Sequence, residues 1–113
     1  MNNIHSLYIH IPFCGKICDY CDFTKLQYFR NFAIDYLKAL KDELESYHIS
    51  NLKTIYVGGG TPTALEDDLF LELLEMIDHY KKGVKEYTFE ANPESLSLNK
   101  IKMLKEHGVN RIR

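Results

Sequence analysis

The chain has 113 residues, of which 45% are hydrophobic and 27% charged, and its formal net charge is −2. This length allows at most one domain, and the near-neutral charge gives no reason to expect binding to nucleic acid or to an anionic membrane surface. No apolar run approaches the ~20 residues of a membrane helix, and the first residues lack the charged and apolar regions of a signal peptide.

The amino-terminal part of the sequence predicts a strand, a loop that contains cysteines, and a helix. Ser6 to Ile11 is rich in β-branched and aromatic side chains, which favours a strand. Pro12 ends this strand, because proline has no backbone N–H to donate to a neighbouring strand. From Asn31 to about Tyr47, apolar side chains recur mostly at every third or fourth position, which indicates a helix. Asn31 is then the predicted N-cap.

A second strand and a second helix follow. Lys53 to Val57 is predicted to be a short strand, and it leads into the string Gly58-Gly59-Gly60-Thr61-Pro62-Thr63. A helix is predicted from about Glu66 to Lys82, with acidic residues in its first turn and two lysines in its last, which suits the helix dipole. Gly83 fits the C′ position of this helix.

A third strand and a third helix continue the alternation. Glu86 to Glu90 is the third predicted strand, and the string Ala91-Asn92-Pro93-Glu94 breaks it. The third helix is predicted from about Ser97 to His107, with Gly108 ending it. Val109 to Arg113 is predicted to begin a fourth strand. The side chains of the third helix that we expect to face the core are Leu98, Ile101 and Leu104.

The order βαβαβαβ predicts an α/β fold with parallel strands joined by right-handed crossovers. This pattern alone allows both a doubly wound sheet and a barrel. The cysteine loop follows the first strand, the glycine string follows the second, and Glu90 closes the third. The carboxyl ends of parallel strands meet at one edge of the sheet, where both architectures build their sites. We therefore expect these three features to lie together.

The cysteines of the chain fall within eight residues and predict a metal site. They are Cys14, Cys18 and Cys21. Such clustering without secretory features favours a metal over disulfides. Three thiolates are one fewer than the usual iron–sulfur ligation, so a cluster held here would leave one iron open to an outside ligand. The alternative is zinc, for which a histidine such as His10 would complete a tetrahedral site, although no second cysteine pair exists.

The spacing C-x3-C-x2-C, with Tyr20 directly before the last cysteine, resembles the signature of the radical S-adenosylmethionine (SAM) superfamily. The strings Tyr8-Ile9-His10-Ile11-Pro12-Phe13-Cys14 and Tyr20-Cys21-Asp22-Phe23 are similar to a narrower group, the oxygen-independent coproporphyrinogen III oxidases and their haem-chaperone relatives. The resemblance implies a [4Fe–4S] cluster whose open iron binds SAM and donates one electron to it. Homolysis then gives methionine and a 5′-deoxyadenosyl radical, which abstracts a substrate hydrogen.

The resemblance also implies the incomplete (β/α)6 barrel of radical SAM enzymes. Residues 1–113 would be the amino-terminal part of this core domain, with about three βα units and a fourth strand. We expect such a truncated chain to be inactive alone, because its last strand would have an open edge and an uncovered apolar face.

The same resemblance assigns SAM contacts to individual residues. Tyr20 would lie near the adenine, and Glu90 would accept hydrogen bonds from ammonium or hydroxyl groups. The glycine string fits neither a P-loop nor a dinucleotide-binding motif, and in the family it lines the methionine end of SAM. Ordinary packing is the alternative role for Tyr8 and Tyr20. The residues assigned to SAM are Tyr8, Tyr20, Gly59, Gly60, Thr61 and Glu90.

Two local features favour the haem-chaperone branch over the oxidase branch. Phe23 stands where the oxidase branch typically carries a fourth cysteine, and the segment before the first strand is short. The resemblance therefore implies a protein of haem or porphyrin metabolism, with haem or porphyrin and an electron donor protein as partners. Thiolate ligands fit a reducing cytoplasm. The alternatives are oxidative decarboxylation of coproporphyrinogen III and a zinc-stabilised fold without catalysis.

Overall fold

Strands and helices alternate along the polypeptide. The structure is a computed structural model that describes residues 5–13 and 23–113, with side chains described at 5–13 and 29–113. The strands in these ranges are β1 (Ser6–Ile11), β2 (Thr54–Gly59), β3 (Glu86–Phe89) and β4 (Arg111–Ile112). The helices in these ranges are α1 (Phe23–Ser46), α2 (Asp67–Asp78), α3 (Leu98–Glu106) and a short 3-10 helix (Pro62–Ala64).

The strands of the described ranges are all parallel and lie in the order β1-β2-β3-β4. The register places Tyr8 opposite Tyr56 and Val57 opposite Phe89. Each strand is added on the same side of the one before it, so right-handed crossovers place all three helices on one face of the sheet. This is the order of a barrel, since a doubly wound sheet reverses its strand order. The predicted α/β fold with part of a (β/α) barrel is confirmed.

The face of the sheet that the helices cover forms the hydrophobic core. Successive side chains of a strand point to opposite faces, so alternate residues of β1, β2 and β3 enter this core. Those from the strands are Ile9, Ile11, Ile55, Val57, Tyr87 and Phe89. Those from α2 are Leu69, Phe70, Leu73, Leu74, Met76 and Ile77. Full burial of one such aliphatic or phenylalanine side chain contributes about 1.5–3 kcal/mol relative to exposure.

The opposite face of the sheet, called the helix-free face below, carries polar and aromatic side chains. In a complete barrel this face lines the interior. Its side chains in the described ranges include Ser6, Tyr8, His10, Thr54, Tyr56, Glu86, Thr88, Arg111 and, directly after β3, Glu90. None of the helices in the described part of the chain is both long enough and apolar enough to span a lipid bilayer.

Helix α1 begins earlier than the sequence predicts. It starts at Phe23, so Asn31 lies inside the helix and its prediction as the N-cap is wrong. Residues 23–30, which form the turns of α1 before Asn31, contain neither glycine nor proline. A long-range contact holds the end of this stretch. Arg30 forms ion pairs with Glu66 (3.0 Å) and Asp68 (2.6 Å) at the start of α2. Hydrogen bonding to Arg30 lowers the pKa of the Asp68 carboxyl. Such contacts are not visible in the local periodicity.

Helix α2 ends at Asp78, earlier than predicted. Lys81 lies beyond the helix, where it pairs with Asp78 (3.0 Å) and donates to the carbonyl oxygen of His107 (2.9 Å). The two lysines that were predicted in the last turn, Lys81 and Lys82, therefore lie outside the helix. Lys81 instead contacts Asp78 and the end of α3. Gly83 adopts a positive φ of +82°, but it lies in the following turn and not at the C′ position of α2.

The other boundaries differ from the prediction by one or two residues. Strand β2 runs past Val57 to Gly59. Glu90 follows β3, although its N–H still donates to the carbonyl oxygen of Val57 at 2.9 Å. At the start of α3, the Ser97 side chain accepts a hydrogen bond from the backbone N–H three residues later. Gly108, with φ +88°, ends the helix as predicted.

The inward face of α3 differs from the prediction. Leu98 is 72% exposed and Ile101 is 40% exposed, so both were wrongly placed in the core. Lys100 lies inward instead: its Nζ is 5.9 Å from the centre of the Phe70 ring and 3.3 Å from a carboxylate oxygen of Asp67. A lysine can bury its aliphatic chain while its ammonium group reaches an acid. The buried residues of α3 are Lys100, Met103 and Leu104.

Candidate functional site

The predicted site residues in the described ranges lie mainly where strands end. Gly59 is the last residue of β2, Gly60 and Thr61 follow it, and Glu90 follows β3. The structure brings these four together. A carboxylate oxygen of Glu90 accepts the N–H of Gly59 at 3.0 Å, and the other two residues line an open groove of about 510 Å³ with Glu90. Tyr8 lies within β1 on the helix-free face and does not itself line this groove.

The remaining predicted site residues lie outside the described residues, so their roles stay predictions. They are Cys14, Cys18, Cys21 and Tyr20. The last described residue before them is Phe13. Its contacts define the position from which the chain continues to Cys14.

Helix α1 holds Phe13 in a cluster of aromatic rings. Phe13 is 2% exposed, and its ring lies edge-on to those of Phe29 (5.1 Å), Phe32 (5.6 Å) and Tyr36 (5.6 Å). Such pairs contribute about 0.5–1.5 kcal/mol each beyond the burial of their area. The hydroxyl of Tyr36 also donates to the carbonyl oxygen of His10. The end of β1 and Phe13, the residue directly before Cys14, are thus fixed against α1.

Backbone hydrogen bonds connect the glycine loop (residues 59–61) to this same segment. The N–H of Gly60 donates to the carbonyl oxygen of Ile11 at 2.9 Å, and the N–H of Thr61 donates to that of Phe13 at 2.5 Å. A Cβ at position 60 would overlap the Phe13 carbonyl group, so only glycine fits there. Gly59 has φ +118°, a conformation that glycine adopts readily. The glycine loop and residues 11–13 therefore form one hydrogen-bonded unit.

Two donors hold the carboxylate of Glu90. Gly59 N–H binds Oε1 at 3.0 Å, and the Tyr56 hydroxyl binds Oε2 at 2.5 Å. The hydrogen bond from Tyr56 to Glu90, together with burial and the negative charge of Glu90, raises the pKa of Tyr56. Gly58 lies beneath the carboxylate, since a Cβ there would be 2.7 Å from Oε1. Each carboxylate oxygen keeps lone pairs for a further donor.

Tyr56 and Gly58 are site residues that the sequence analysis missed. The Tyr56 ring stacks on that of Tyr8, with centroids 5.9 Å apart and an interplanar angle of 25°. The Tyr8 hydroxyl lies 3.0 Å from Nδ1 of His10. The signal that could have found both residues is the period of two along a strand, which places positions 56 and 58 on the same face.

The loops after β2 and β3 are joined beneath the groove by the buried hydroxyl of Thr63. It lies 2.6 Å from the hydroxyl of Ser95 and accepts the N–H of Asn92 at 3.3 Å. Ser95 in turn donates to the carbonyl oxygen of Asn92 at 3.2 Å. The network fixes the segment that follows Glu90 relative to the glycine loop.

Thr63→Val is expected to lower the free energy of unfolding by about 1–3 kcal/mol, because it leaves buried polar groups without a partner. Thr63→Ser keeps the hydroxyl and removes one methyl group, so its expected cost is about 0.8 kcal/mol. Urea unfolding followed by circular dichroism measures both. Equal losses in the two variants would show that the hydroxyl network does not contribute.

The groove suits a ligand that carries ammonium or hydroxyl groups. Glu90 supplies a hydrogen-bond acceptor with negative charge, and hydrogen bonds to charged groups are shorter and stronger than neutral ones. Gly59 and Gly60 are exposed and have no side chains, so a ligand can approach their backbone carbonyls closely.

The chain is similar in sequence and in fold to known proteins. The chain matches the family model of the radical SAM superfamily over residues 8–113. It is 45% identical, over 95% of its length, to the heme chaperone HemW of Bacillus subtilis. It is 33% identical, over 95% of its length, to the oxygen-independent coproporphyrinogen III oxidase of Pseudomonas aeruginosa. Among solved structures, coproporphyrinogen III oxidase (HemN) from Escherichia coli, a radical SAM enzyme, matches 96% of the chain with a TM-score of 0.72 and 26% identity.

These matches cover most of the chain but only part of each relative. The chain spans 30% of the Bacillus subtilis protein, 25% of the Pseudomonas aeruginosa protein and 27% of the Escherichia coli structure. The stretch matched by the family model runs from β1 through β4, and it includes the cysteine string, the glycine loop and Glu90. The chain therefore belongs to the radical SAM superfamily.

Proposed function

We propose that this chain is the amino-terminal part of a radical SAM core domain that holds a [4Fe–4S] cluster and SAM. The single observation that supports this most directly is the groove itself. In it, Glu90 is hydrogen-bonded to the glycine loop, and the glycine loop is hydrogen-bonded to Phe13, the residue before the first cysteine. The proposed cluster ligands are Cys14, Cys18 and Cys21.

The residues around the groove fit the polar groups of SAM. Glu90 can accept from its ammonium or hydroxyl groups, and carbonyls of the glycine loop can accept from the ammonium group. Tyr20 would pack near the adenine. When bound, the reduced cluster supplies one electron to SAM for radical chemistry. The protein's own part is to bind and orient. The proposed SAM contacts are Tyr8, Tyr20, Gly59, Gly60, Thr61 and Glu90.

For the whole protein, we propose a haem-chaperone role in haem or porphyrin metabolism. The identity to heme chaperones is higher, 45% and 42% in two relatives, than the 33% to an oxidase. Phe23 in place of a fourth cysteine supports the same branch. The partners would be haem or porphyrin and an electron donor protein. The protein would act in the cytoplasm, where cysteine thiolates persist.

Anaerobic reconstitution with iron and sulfide tests the cofactor proposal. We expect about four irons and four sulfides per chain, with an absorbance band at roughly 400 nm that bleaches on reduction. SAM should then bind to the loaded protein. A variant in which serine replaces Cys14, Cys18 and Cys21 should take up no cluster. Retention of zinc, with failure to take up iron in the full-length protein as well, would contradict the proposal.

The two branches are separated in the full-length protein. Stable binding of haem and its transfer to an acceptor protein are expected for the chaperone. Conversion of coproporphyrinogen III, with loss of carbon dioxide from its propionates, would instead assign the protein to the oxidase branch. Neither measurement depends on the 113-residue chain being active by itself.

A further inference from the structure

Tyr56 lies at the centre of the candidate site and has no role among the proposed cofactor contacts. Its side chain is partly buried on the helix-free face and lines the same groove as Glu90. Its ring stacks on Tyr8 at 5.9 Å, and its hydroxyl donates to Oε2 of Glu90 at 2.5 Å. The ring is therefore held on one side while the hydroxyl points at the acid.

Glu90 depends on this contact for its orientation. It follows the last residue of β3, and the terminal torsion of a glutamate side chain has a broad energy profile. One hydrogen bond, from the N–H of Gly59 to Oε1, restrains that torsion through one oxygen only. The second, from Tyr56 to Oε2, holds the other oxygen and so defines the plane of the carboxylate.

We propose that Tyr56 is a positioning residue for SAM: its hydroxyl, acting through Glu90, fixes the carboxylate in the orientation that accepts hydrogen bonds from the bound cofactor. This inference rests on the proposed function of the groove. It deepens that proposal by naming a residue that neither the cysteine motif nor the glycine loop includes.

A double-mutant cycle on SAM affinity tests the proposal. With the cluster loaded anaerobically, Tyr56→Phe should weaken SAM binding by about tenfold, the equivalent of one charge-assisted hydrogen bond. Glu90→Ala should weaken it at least as much. Adding Tyr56→Phe to Glu90→Ala should then change the affinity by less than about twofold, because coupled residues are not additive. Isothermal titration calorimetry measures all four proteins.

Equal weakening by Tyr56→Phe in both backgrounds would overturn the proposal, since Tyr56 would then act without Glu90. The matched control is Tyr87→Phe. The Tyr87 hydroxyl is buried and has no hydrogen-bond partner among the described residues, so SAM affinity should stay within about twofold, as expected for sites that are not coupled. If Tyr87→Phe weakened SAM binding as much as Tyr56→Phe, the effect would belong to the sheet as a whole and the proposal would fail.

Titration of tyrosine by ultraviolet absorbance gives a readout that needs neither cluster nor SAM. The hydrogen bond to Glu90, burial and the charge of Glu90 raise the pKa of Tyr56; Tyr8 acts in the same direction and Arg113 in the opposite one. Donation to a carboxylate favours the protonated phenol, so Glu90→Ala should make one tyrosine ionise at lower pH. This shift should vanish when Tyr56→Phe is already present.

The outcomes of these experiments separate the two proposals. Failure of the unaltered, cluster-loaded protein to bind SAM would overturn the proposed function and this inference with it. SAM binding that Tyr56→Phe leaves unchanged, or a tyrosine titration that Glu90→Ala leaves unchanged, would overturn only the role of Tyr56.

Discussion

Alanine in place of Gly60 is expected to lower the free energy of unfolding by about 3 kcal/mol, the upper part of the usual range for overpacking. The new Cβ would lie 2.8 Å from the carbonyl carbon of Phe13 and nearer still to its oxygen. Both are backbone atoms, so no flexible side chain can move aside. The strain would fall on the hydrogen bond from Thr61 to Phe13. We therefore also expect reduced iron uptake, measured after anaerobic reconstitution alongside urea unfolding.

Gly83→Ala is the matched control for Gly60→Ala. Gly83 has φ +82°, and a Cβ there would meet no heavy atom within 4 Å. Its cost is confined to the left-handed backbone conformation, about 1–2 kcal/mol, and iron uptake should be unchanged. Equal stability and full iron uptake in both variants would show that the close approach of Gly60 to Phe13 does not constrain the site.

Sequence reasoning located the glycine loop and Glu90 because both depend on simple rules. Alternating strands and helices give parallel strands, and residues that follow parallel strands share one edge of the sheet. The structure joins Gly59 and Glu90 by a hydrogen bond across that edge. The choice between a barrel and a doubly wound sheet could not be made in the same way, because strand order depends on which strands pair and not on the pattern within each strand.

The errors of the sequence analysis share a cause: the contact that decides each position lies far away in the chain. Lys100 displaces Leu98 and Ile101 from the inward face of α3 because Asp67, in α2, accepts its ammonium group. The early start of α1 is accompanied by ion pairs between Arg30 and the start of α2. Periodicity treats lysine and arginine as surface residues, so it cannot anticipate such partners.

The candidate site shows the same limit. Phe13 lies within one of the strings that carry the family resemblance, and Tyr56 lies two residues before the glycine string. The roles of both residues nevertheless follow from partners on other elements. Tyr56 matters because Glu90, in the next βα unit, lies within hydrogen-bond distance. Phe13 matters because α1 surrounds it with aromatic rings. A motif specifies which residues bind the cofactor, whereas packing specifies which residues hold them in place.

Phe13→Ala is expected to lower the free energy of unfolding by about 3–5 kcal/mol, as for other buried phenylalanines, because it leaves a cavity. The same change removes the ring that anchors the residue directly before Cys14 against α1. Uptake of iron should therefore fall below that of other variants of equal stability. Urea unfolding measures the first effect, and iron and sulfide content after anaerobic reconstitution measures the second.

Phe70→Ala separates loss of stability from loss of the loop anchor. Phe70 is fully buried, but its ring packs edge-on to Phe89 at 5.6 Å and lies beneath Lys100, against β3 and α3. Its cavity should cost a similar amount, about 3–5 kcal/mol, while iron uptake at a temperature where the protein is folded should be retained. If either alanine variant fails to fold, Phe13→Leu and Phe70→Leu remove less volume and allow the same comparison.

Equal iron uptake by the two members of a pair would mean that the cysteine segment finds its position without Phe13. Selective loss at position 13 would show that packing of Phe13 sets the geometry of the proposed cluster ligands.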